Sequence, residues 1–500
     1  MPIQPLQRRT FLRSAGAAVA APLFRSMSPG LTFAADAEST IQVATFRADL
    51  TPPLGEGACI GFMPTVASLE HPLEMRGIVL RRLGPAGTET FVIAALDYQG
   101  LCNSTDDLFR RRLAKAAGTS VERVAIQSLH QHTAPVLDVD GAKLLFADEP
   151  QRWQAHAAFA EAMAERAGQA VNESLAHFRP LSRVVASMAK VARVASNRRV
   201  VRPDGSVVVR GSSTRDAELI AAPEGLIDPW LRTVTFMDGA APLAQLHYYA
   251  THPQSFYGDS RISWDVPGMA RDQLEQDTGI FQIYFTGCGG NIGMGKYNNG
   301  THAARETLWK RLYAAMRDSS AAAMRGAPRA PQPEEPDAPR IVREVSIERI
   351  GDDIAWDVVP LRFEPRDDGE FGDAGTRDLL RLDQPFGTRL KAAMFAAWTK
   401  RLRDGHKVSV SRLRIGGIEL LHLPGEPFVE FQLFAQQAAP ESFVCVAGYG
   451  ECGVWYYGLD SIFTDRGGYE QTWSFTAPCQ RAVEEAIDKL LASRNERLPK

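Results

Sequence analysis

The sequence predicts an α/β fold of the mixed α+β kind, in which a mixed β-sheet core carries flanking helices. Three observations lead there. Short apolar runs of strand length alternate with helix-length segments along the chain, without a detectable repeat. A length of 500 residues with 45% hydrophobic composition is enough to bury a large core. Residues suited to chemistry recur where apolar runs give way to loops, and open α/β sheets bind their ligands at the carboxyl ends of strands.

The first 35 residues stand apart from the fold. Gln7-Arg8-Arg9-Thr10-Phe11-Leu12-Arg13 sets a twin arginine before Phe-Leu and a further basic residue. A small, apolar run over 15–23 follows, and Thr32-Phe33-Ala34-Ala35 ends the segment in small residues. This is the pattern of a Tat signal peptide, so residues 1–35 are expected to engage the Tat export machinery and the mature chain to be periplasmic or secreted. A membrane span would need about 20 consecutive apolar residues, and Arg25 interrupts the run. No other transmembrane span is visible, and residues 36–500 are expected to form a single large domain.

Within that domain, residues 41–47 alternate as a strand closed by the turn Asp49-Leu50-Thr51-Pro52-Pro53. Residues 91–96 form an apolar strand ending at Asp97. Ser104-Thr105-Asp106-Asp107 caps a helix to about Gly118, whose early acids and later Arg110, Arg111, Arg112 and Lys115 suit the helix dipole. Residues 124–127 are a short buried strand, 151–177 an Ala-rich helix, and 184–195 a strand leading to Ser196-Asn197-Arg198-Arg199. Strands are expected at 230–237 and 243–249, a helix at 267–276, a strand at 281–285 and a glycine-rich turn at Gly287-Cys288-Gly289-Gly290-Asn291. A helix over 304–324 precedes the Pro- and charge-rich stretch 327–340, expected to be a surface loop. Strands follow at 341–350 and 408–423, the latter turning at Gly416-Gly417, with helices from Pro427 and over 478–493.

The net charge is −3, with Lys+Arg 56 against Asp+Glu 59, and neither sign gathers into a block, so neither a nucleic-acid nor a membrane-surface partner is expected. The six cysteines form no C-x-x-C or zinc-ribbon pattern. Cys445 and Cys452 are the closest pair in sequence, and a bridge between them stays open.

The chemistry concentrates at Ser128-Leu129-His130-Gln131-His132-Thr133-Ala134-Pro135, where a strand yields to a loop. In an extended backbone residues i and i+2 face the same way, which would let His130 and His132 act on one volume. His252, in His252-Pro253, ends the apolar strand 243–249, and Leu423-Pro424-Gly425-Glu426-Pro427 puts a carboxylate at a third strand end. Zinc takes nitrogen, oxygen or sulfur ligands, three from the protein in a hydrolytic site, so His130, His252 and Glu426 suggest a zinc site at strand ends. Taken singly, His252 could merely end a strand and Glu426 could favour a helix N-terminus. No G-x-S-x-G elbow occurs, and Gly287-x-Gly289-Gly290 lacks both dinucleotide spacing and the Lys-Ser/Thr of a phosphate loop, so that turn reads as scaffold beside the pocket.

In this region the chain resembles the neutral/alkaline, non-lysosomal ceramidase family. The resemblance rests, in order, on Phe46-Arg47-Ala48-Asp49-Leu50-Thr51-Pro52-Pro53, the Asp97 strand end, Ser128 to Pro135, Asn197-Arg198, Ala250-Thr251-His252-Pro253 with Ser263-Trp264-Asp265, Pro424-Gly425-Glu426, and Gly467-Gly468-Tyr469-Glu470. It implies one Zn2+ per chain held by His130, His252, Glu426 and Tyr469. His132 and Arg198 are implied as catalytic residues that hold the oxyanion and help protonate the leaving amine. The implied activity is hydrolysis of an amide (N-acyl) bond of a small-molecule or lipid-like substrate by attack of zinc-bound water. A zinc esterase or deacylase on another acyl or sugar-linked substrate, and a non-catalytic exported binding protein, are the alternatives.

The chain also departs from the family. Thr133-Ala134-Pro135-Val136-Leu137 stands where the family has Ser-Gly-Pro-Gly-Gly, and Gln471-Thr472-Trp473-Ser474-Phe475 offers no second active-site tyrosine. Beyond Tyr469 there is room for little more than one helix, so the family's C-terminal immunoglobulin-like domain is not expected. On composition alone Arg198 beside Arg199 reads as a solvated turn, and Tyr469 as half-buried packing.

Overall fold

The computed structural model describes residues 40–56, 65–84, 87–256, 260–325, 340–346 and 354–492. Residues 1–35, expected to be a Tat signal peptide, and most of the proline-rich stretch 327–340 lie outside the described residues. The mixed α+β expectation holds: three mixed sheets, each flanked by helices, make up the core.

The first sheet contains β1 (Ile41–Asp49), β2 (Glu74–Gly84), β3 (Gly87–Leu96) and β4 (Val124–Ser128), side by side in that order. Neighbours are antiparallel except β3 and β4, which run parallel, with Val92 opposite Val124 and Leu96 opposite Ser128. The parallel pair requires a crossover, supplied by α1 (Ser104–Ala117), which ends at Gly118 in the left-handed conformation (φ 64°). Both faces of this sheet are covered. Phe91, Ile93 and Ala95 enter the central core, while Val92, Ala94 and Leu96 pack with Phe109 and Leu113 of α1 and Met163, Ala167 and Val171 of α2 (Pro150–Ser174). Two-sided burial explains why β3 reads as a continuous apolar run rather than an alternating one.

The second sheet is built from β5 (Arg183–Lys190), β6 (Trp230–Asp238), β7 (Ala241–Tyr249), β8 (Phe281–Thr286) and β9 (Arg340–Ser346) in the order β8-β7-β6-β5-β9. Its one parallel pair is β7 with β8, joined through α3 (Asp265–Thr278), and α4 (His302–Arg325) packs against β5 and β6. The third sheet, β10 (Ile354–Leu361), β11 (Val408–Ile415), β12 (Ile418–His422) and β13 (Phe443–Ala447), repeats the arrangement. Strand β11 turns into β12 at Gly416 (φ 59°) and Gly417, α5 (Phe386–Arg403) lies in the preceding connection, and α6 (Val429–Ala438) crosses from β12 to its parallel neighbour β13. Helix α7 (Gln480–Ala492) closes the described chain and packs on β10 and α6.

Each sheet thus has one parallel edge strand, β4, β8 or β13, and their carboxyl tips meet. Ser128 N donates to Tyr449 O at 2.8 Å, Gly448 N to Thr286 O at 2.9 Å, and Thr286 Oγ1 to Leu129 O at 2.8 Å, closing a ring of hydrogen bonds among the three sheets. Central-core residues come from all three, including Ile93, Leu246, Phe285, Leu420 and Cys445. Cys445 and Cys452 are both buried and free, so the open question of a bridge between them is answered in the negative. No helix among the described residues is long and apolar enough to cross a membrane.

Candidate metal centre

The convergence of strand ends decides where the ligand-type side chains go. His130 lies just past β4, His252 past β7 and Glu426 past β12, each at the carboxyl end of a strand in a parallel pair. Extended backbone does not bring His130 and His132 together, contrary to the spacing argument. The strand stops at Ser128 and His130 adopts a left-handed φ of 69°, pinned by its N–H to Tyr98 O at 2.9 Å. Such a conformation costs a non-glycine residue on the order of 1–3 kcal/mol and concentrates at functional sites. The rings still share one volume, with centroids 5.2 Å apart and planes nearly perpendicular. Tyr449, also left-handed at φ 62°, stacks on His130 from the tip of β13.

His130 Nε2 lies 3.2 Å and His252 Nε2 3.3 Å from the same atom, Glu426 Oε2. All three residues are at most 2% exposed. Ligand bonds of about 2.0–2.1 Å at tetrahedral angles separate neighbouring ligand atoms by roughly 3.3 Å, which is the spacing found here. The outer ring nitrogens agree. His130 Nδ1 faces Gln99 O at 2.6 Å and His252 Nδ1 faces Gly289 O at 3.1 Å. A backbone carbonyl can only accept, so each Nδ1 carries the hydrogen and each Nε2 keeps its lone pair. His130 Nε2 and both Glu426 oxygens are buried without a hydrogen-bond partner, an arrangement costly to leave unsatisfied and one that a bound cation would satisfy. The donor set fits a borderline ion such as zinc better than the all-oxygen preference of magnesium or calcium.

Around this group stand Arg198 and two phenols. Arg198, read from composition as a solvated turn, is 3% exposed. Its Nη1 donates to Tyr469 Oη and, at 3.2 Å, to Tyr456 Oη, while its Nη2 donates to Ser212 Oγ at 2.9 Å and Gln254 Oε1 at 3.1 Å. Burial disfavours its charge, but the oxygens of Tyr469, Tyr456, Tyr449 and Glu426 outweigh that and hold its pKa above the ordinary arginine value. Burial, followed by the positive potential of Arg198 and neighbouring rings, pushes His252 well below the usual histidine range. His132 is lowered in the same sense by burial, His130 and Arg198. Burial raises Tyr469 to about 12 against the pull of Arg198. The loop bearing Tyr469 is anchored by Arg199, which pairs with Glu470 at 2.5 Å and Asp465 at 2.6 Å.

All six residues singled out in the sequence, His130, His132, Arg198, His252, Glu426 and Tyr469, fall in one neighbourhood. His130, His132 and His252 each offer a ring nitrogen within 4.8 Å of the others'. Tyr469 touches Arg198 and Tyr456 Oη (3.2 Å), whereas Tyr456 Oη lies 3.5 Å from His252 Nε2. Tyr456 precedes Tyr469 in the chain, whereas the family pattern puts its second active-site tyrosine after Tyr469. Gln254 and Ser212 carry no motif signal. The glycine-rich turn is scaffold beside the pocket as expected: Gly289 O orients His252, and a Cβ on Gly290 would stand 2.4 Å from Glu426 O. Asp97 serves structure, receiving Arg271 in a two-pronged ion pair at 2.7 and 2.9 Å. A second acidic group, Asp106, Asp107 and Glu451, is met by Arg110 and Arg401.

No protein-family model matches the chain, and no curated protein matches it in sequence. Solved structures do. A ceramidase complexed with C2 superposes with a TM-score of 0.64 at 16% identity, over 92% of this chain and 76% of that one. The fold is that of the neutral ceramidases. The neutral ceramidase from Pseudomonas aeruginosa also gives a TM-score of 0.64, at 17% identity over 93% of this chain and 76% of its own. The likeness to the neutral ceramidase fold therefore extends over more than nine-tenths of this chain.

Proposed function

We propose that this chain is an exported, zinc-dependent hydrolase that cleaves an amide (N-acyl) bond of a lipid-like substrate in the manner of a ceramidase. The observation that carries the reading is the placement of two imidazole lone pairs 3.2 and 3.3 Å from one buried carboxylate oxygen, within a neutral ceramidase fold. His130, His252, Glu426 and one of the two phenols would hold one zinc ion per chain. Bound there, zinc would lower the pKa of a coordinated water toward about 7 and polarise an acyl carbonyl. The chain's own residues do the rest. Gln99 O and Gly289 O orient the two imidazoles. Arg198 keeps its proton and supplies a fixed positive charge where an acyl oxygen gains negative charge, with His132 beside it. The Tat-type pattern in residues 1–35 supports delivery to the periplasm or beyond.

The test is elemental analysis of the purified mature protein beside His252→Ala and Glu426→Gln, followed by hydrolysis assays on ceramides, other N-acyl amides and acyl esters. About one zinc per wild-type chain, lost in both variants, with turnover of amides in preference to esters, is the expected result. Wild-type protein that is metal-free and takes up no added zinc would overturn the mechanism, and turnover of esters alone would replace amide hydrolysis with ester hydrolysis.

A further inference from the structure

Three imidazoles surround the proposed metal position, and hydrogen-bond direction divides them. The guanidinium of Arg198 can only donate. Its Nη2 reaches Ser212 Oγ at 2.9 Å and Gln254 Oε1 at 3.1 Å. Ser212, accepting from Arg198, turns its own hydroxyl hydrogen onto Gln254 Oε1. Two donors on one atom fix that atom as the amide oxygen, so the other end of Gln254 is the NH2 group. That NH2 stands 3.1 Å from His132 Nδ1. An amide NH2 offers no lone pair, so Nδ1 must be the acceptor and carry no hydrogen. An imidazolium has no bare nitrogen, so His132 is neutral with its hydrogen on Nε2. His130 and His252, whose Nδ1 atoms face carbonyl oxygens, hold the opposite tautomer.

We infer that Gln254 is a positioning residue that locks His132 as the Nε2–H tautomer, so that His132 meets the substrate's acyl oxygen as a hydrogen-bond donor and does not ligate the metal. This deepens the hydrolase reading and rests on it for the identity of the acceptor. A nitrogen bearing hydrogen has no lone pair for a cation, and the Nδ1 lone pair is taken by Gln254. The group of three ring nitrogens within 4.8 Å therefore separates into two ligands, His130 and His252, and one donor. Giving the Nε2 proton away would leave an imidazolate, so His132 holds the oxyanion as a hydrogen-bond donor and is not the acid for the departing amine, which takes up a proton given up by the attacking water. Gln254 does this from the loop that also supplies His252, its N–H bonded to His252 O at 3.0 Å. The loop that presents the ligand thus sets its neighbour's tautomer as well.

The test is 15N NMR of histidine-labelled, zinc-loaded protein, with the His132 signals identified by their loss in His132→Gln. The wild type is expected to show His132 Nε2 protonated and Nδ1 bare. In Gln254→Glu, whose carboxylate cannot donate, a proton should move to His132 Nδ1. The kcat for N-acyl amide hydrolysis should then fall about 10²-fold with KM and zinc content little changed, the loss expected for one oxyanion donor. Gln254→Leu, which imposes no direction, should give mixed tautomers and an intermediate kcat. A wild-type His132 protonated at Nδ1, or a Gln254→Glu enzyme with unaltered kcat, would overturn the proposal. Should no acyl substrate be turned over at all, the hydrolase reading fails, while the ring-nitrogen shifts still decide the tautomer.

Discussion

A phenol with an ordinary pKa of about 10 binds a metal well only after losing its proton, so its distance from the cation matters more than its presence in a motif. Two phenols compete for that place. The resemblance implies Tyr469, whose hydroxyl is engaged by Arg198. Tyr456 lies closer to the imidazoles, its hydroxyl 3.5 Å from His252 Nε2 and its ring parallel to that of His252. Burial and the carboxylate of Glu426 hold Tyr456 well above the usual tyrosine range, a penalty that a divalent cation at the imidazoles would reverse. Tyr456→Phe is therefore expected to weaken zinc binding more than Tyr469→Phe, and Tyr469→Phe to cost no more than about 10- to 100-fold, the usual effect of removing a ligand's partner. Competition with a chromogenic chelator measures both. The reverse order of affinities would return the ligand position to Tyr469.

The elements that bring these residues together are three parallel strand pairs tied at their tips, and glycine permits a close approach between two of them. Gly290 N donates to Pro427 O at 2.9 Å, and an added Cβ would meet Glu426 O at 2.4 Å and Pro427 O at 3.0 Å, both backbone atoms that cannot swing away. Gly290→Ala is expected to destabilise the fold by about 1–3 kcal/mol and to displace Glu426, so that the unfolding midpoint and zinc affinity fall together. A variant that loses neither would show that the Glu426 backbone is not held by this turn. Sequence alone makes the strand ends legible, since the largely apolar runs of β4, β7 and β12 are followed within two to four residues by His130, His252 and Glu426. Other parts are hidden because their reasons lie far along the chain. Strand β2 carries Arg76, Arg81 and Arg82 and does not read as core, yet Arg76 is 1% exposed, paired with Glu74 and, across to α3, with Glu275. Arg198 reads as solvated because Tyr469, its partner, is 271 residues away.

Across the whole molecule, burial of uncharged histidines links stability to pH independently of the metal centre. His247 pairs across β6 and β7 with Thr233, bonded at 2.9 Å, and with Gln282 at 2.7 Å, and burial pushes its pKa down to about 4. His422 stands in the equivalent place in the third sheet, opposite Ser411 across β11 and β12 and bonded to it at 3.1 Å. Burial, aided by Arg110, lowers it to about 3. In the unfolded chain both titrate near 6.5. Above that value folded and unfolded states are alike neutral at these positions and the stability is complete. Between about 6.5 and 4 the unfolded state binds protons that the folded state refuses, so stability falls with pH by about 1.4 kcal/mol per pH unit for each histidine, to a total on the order of 3 kcal/mol apiece. Urea unfolding across pH 7.5 to 4.5 measures this, with a chelator present so that acid release of metal from His130 and His252 does not contribute. His247→Gln, which keeps hydrogen-bonding capacity but cannot titrate, is expected to flatten the dependence by one proton's worth over that window. An unchanged slope would mean that His247 is already protonated in the folded protein or that other groups govern its acid unfolding.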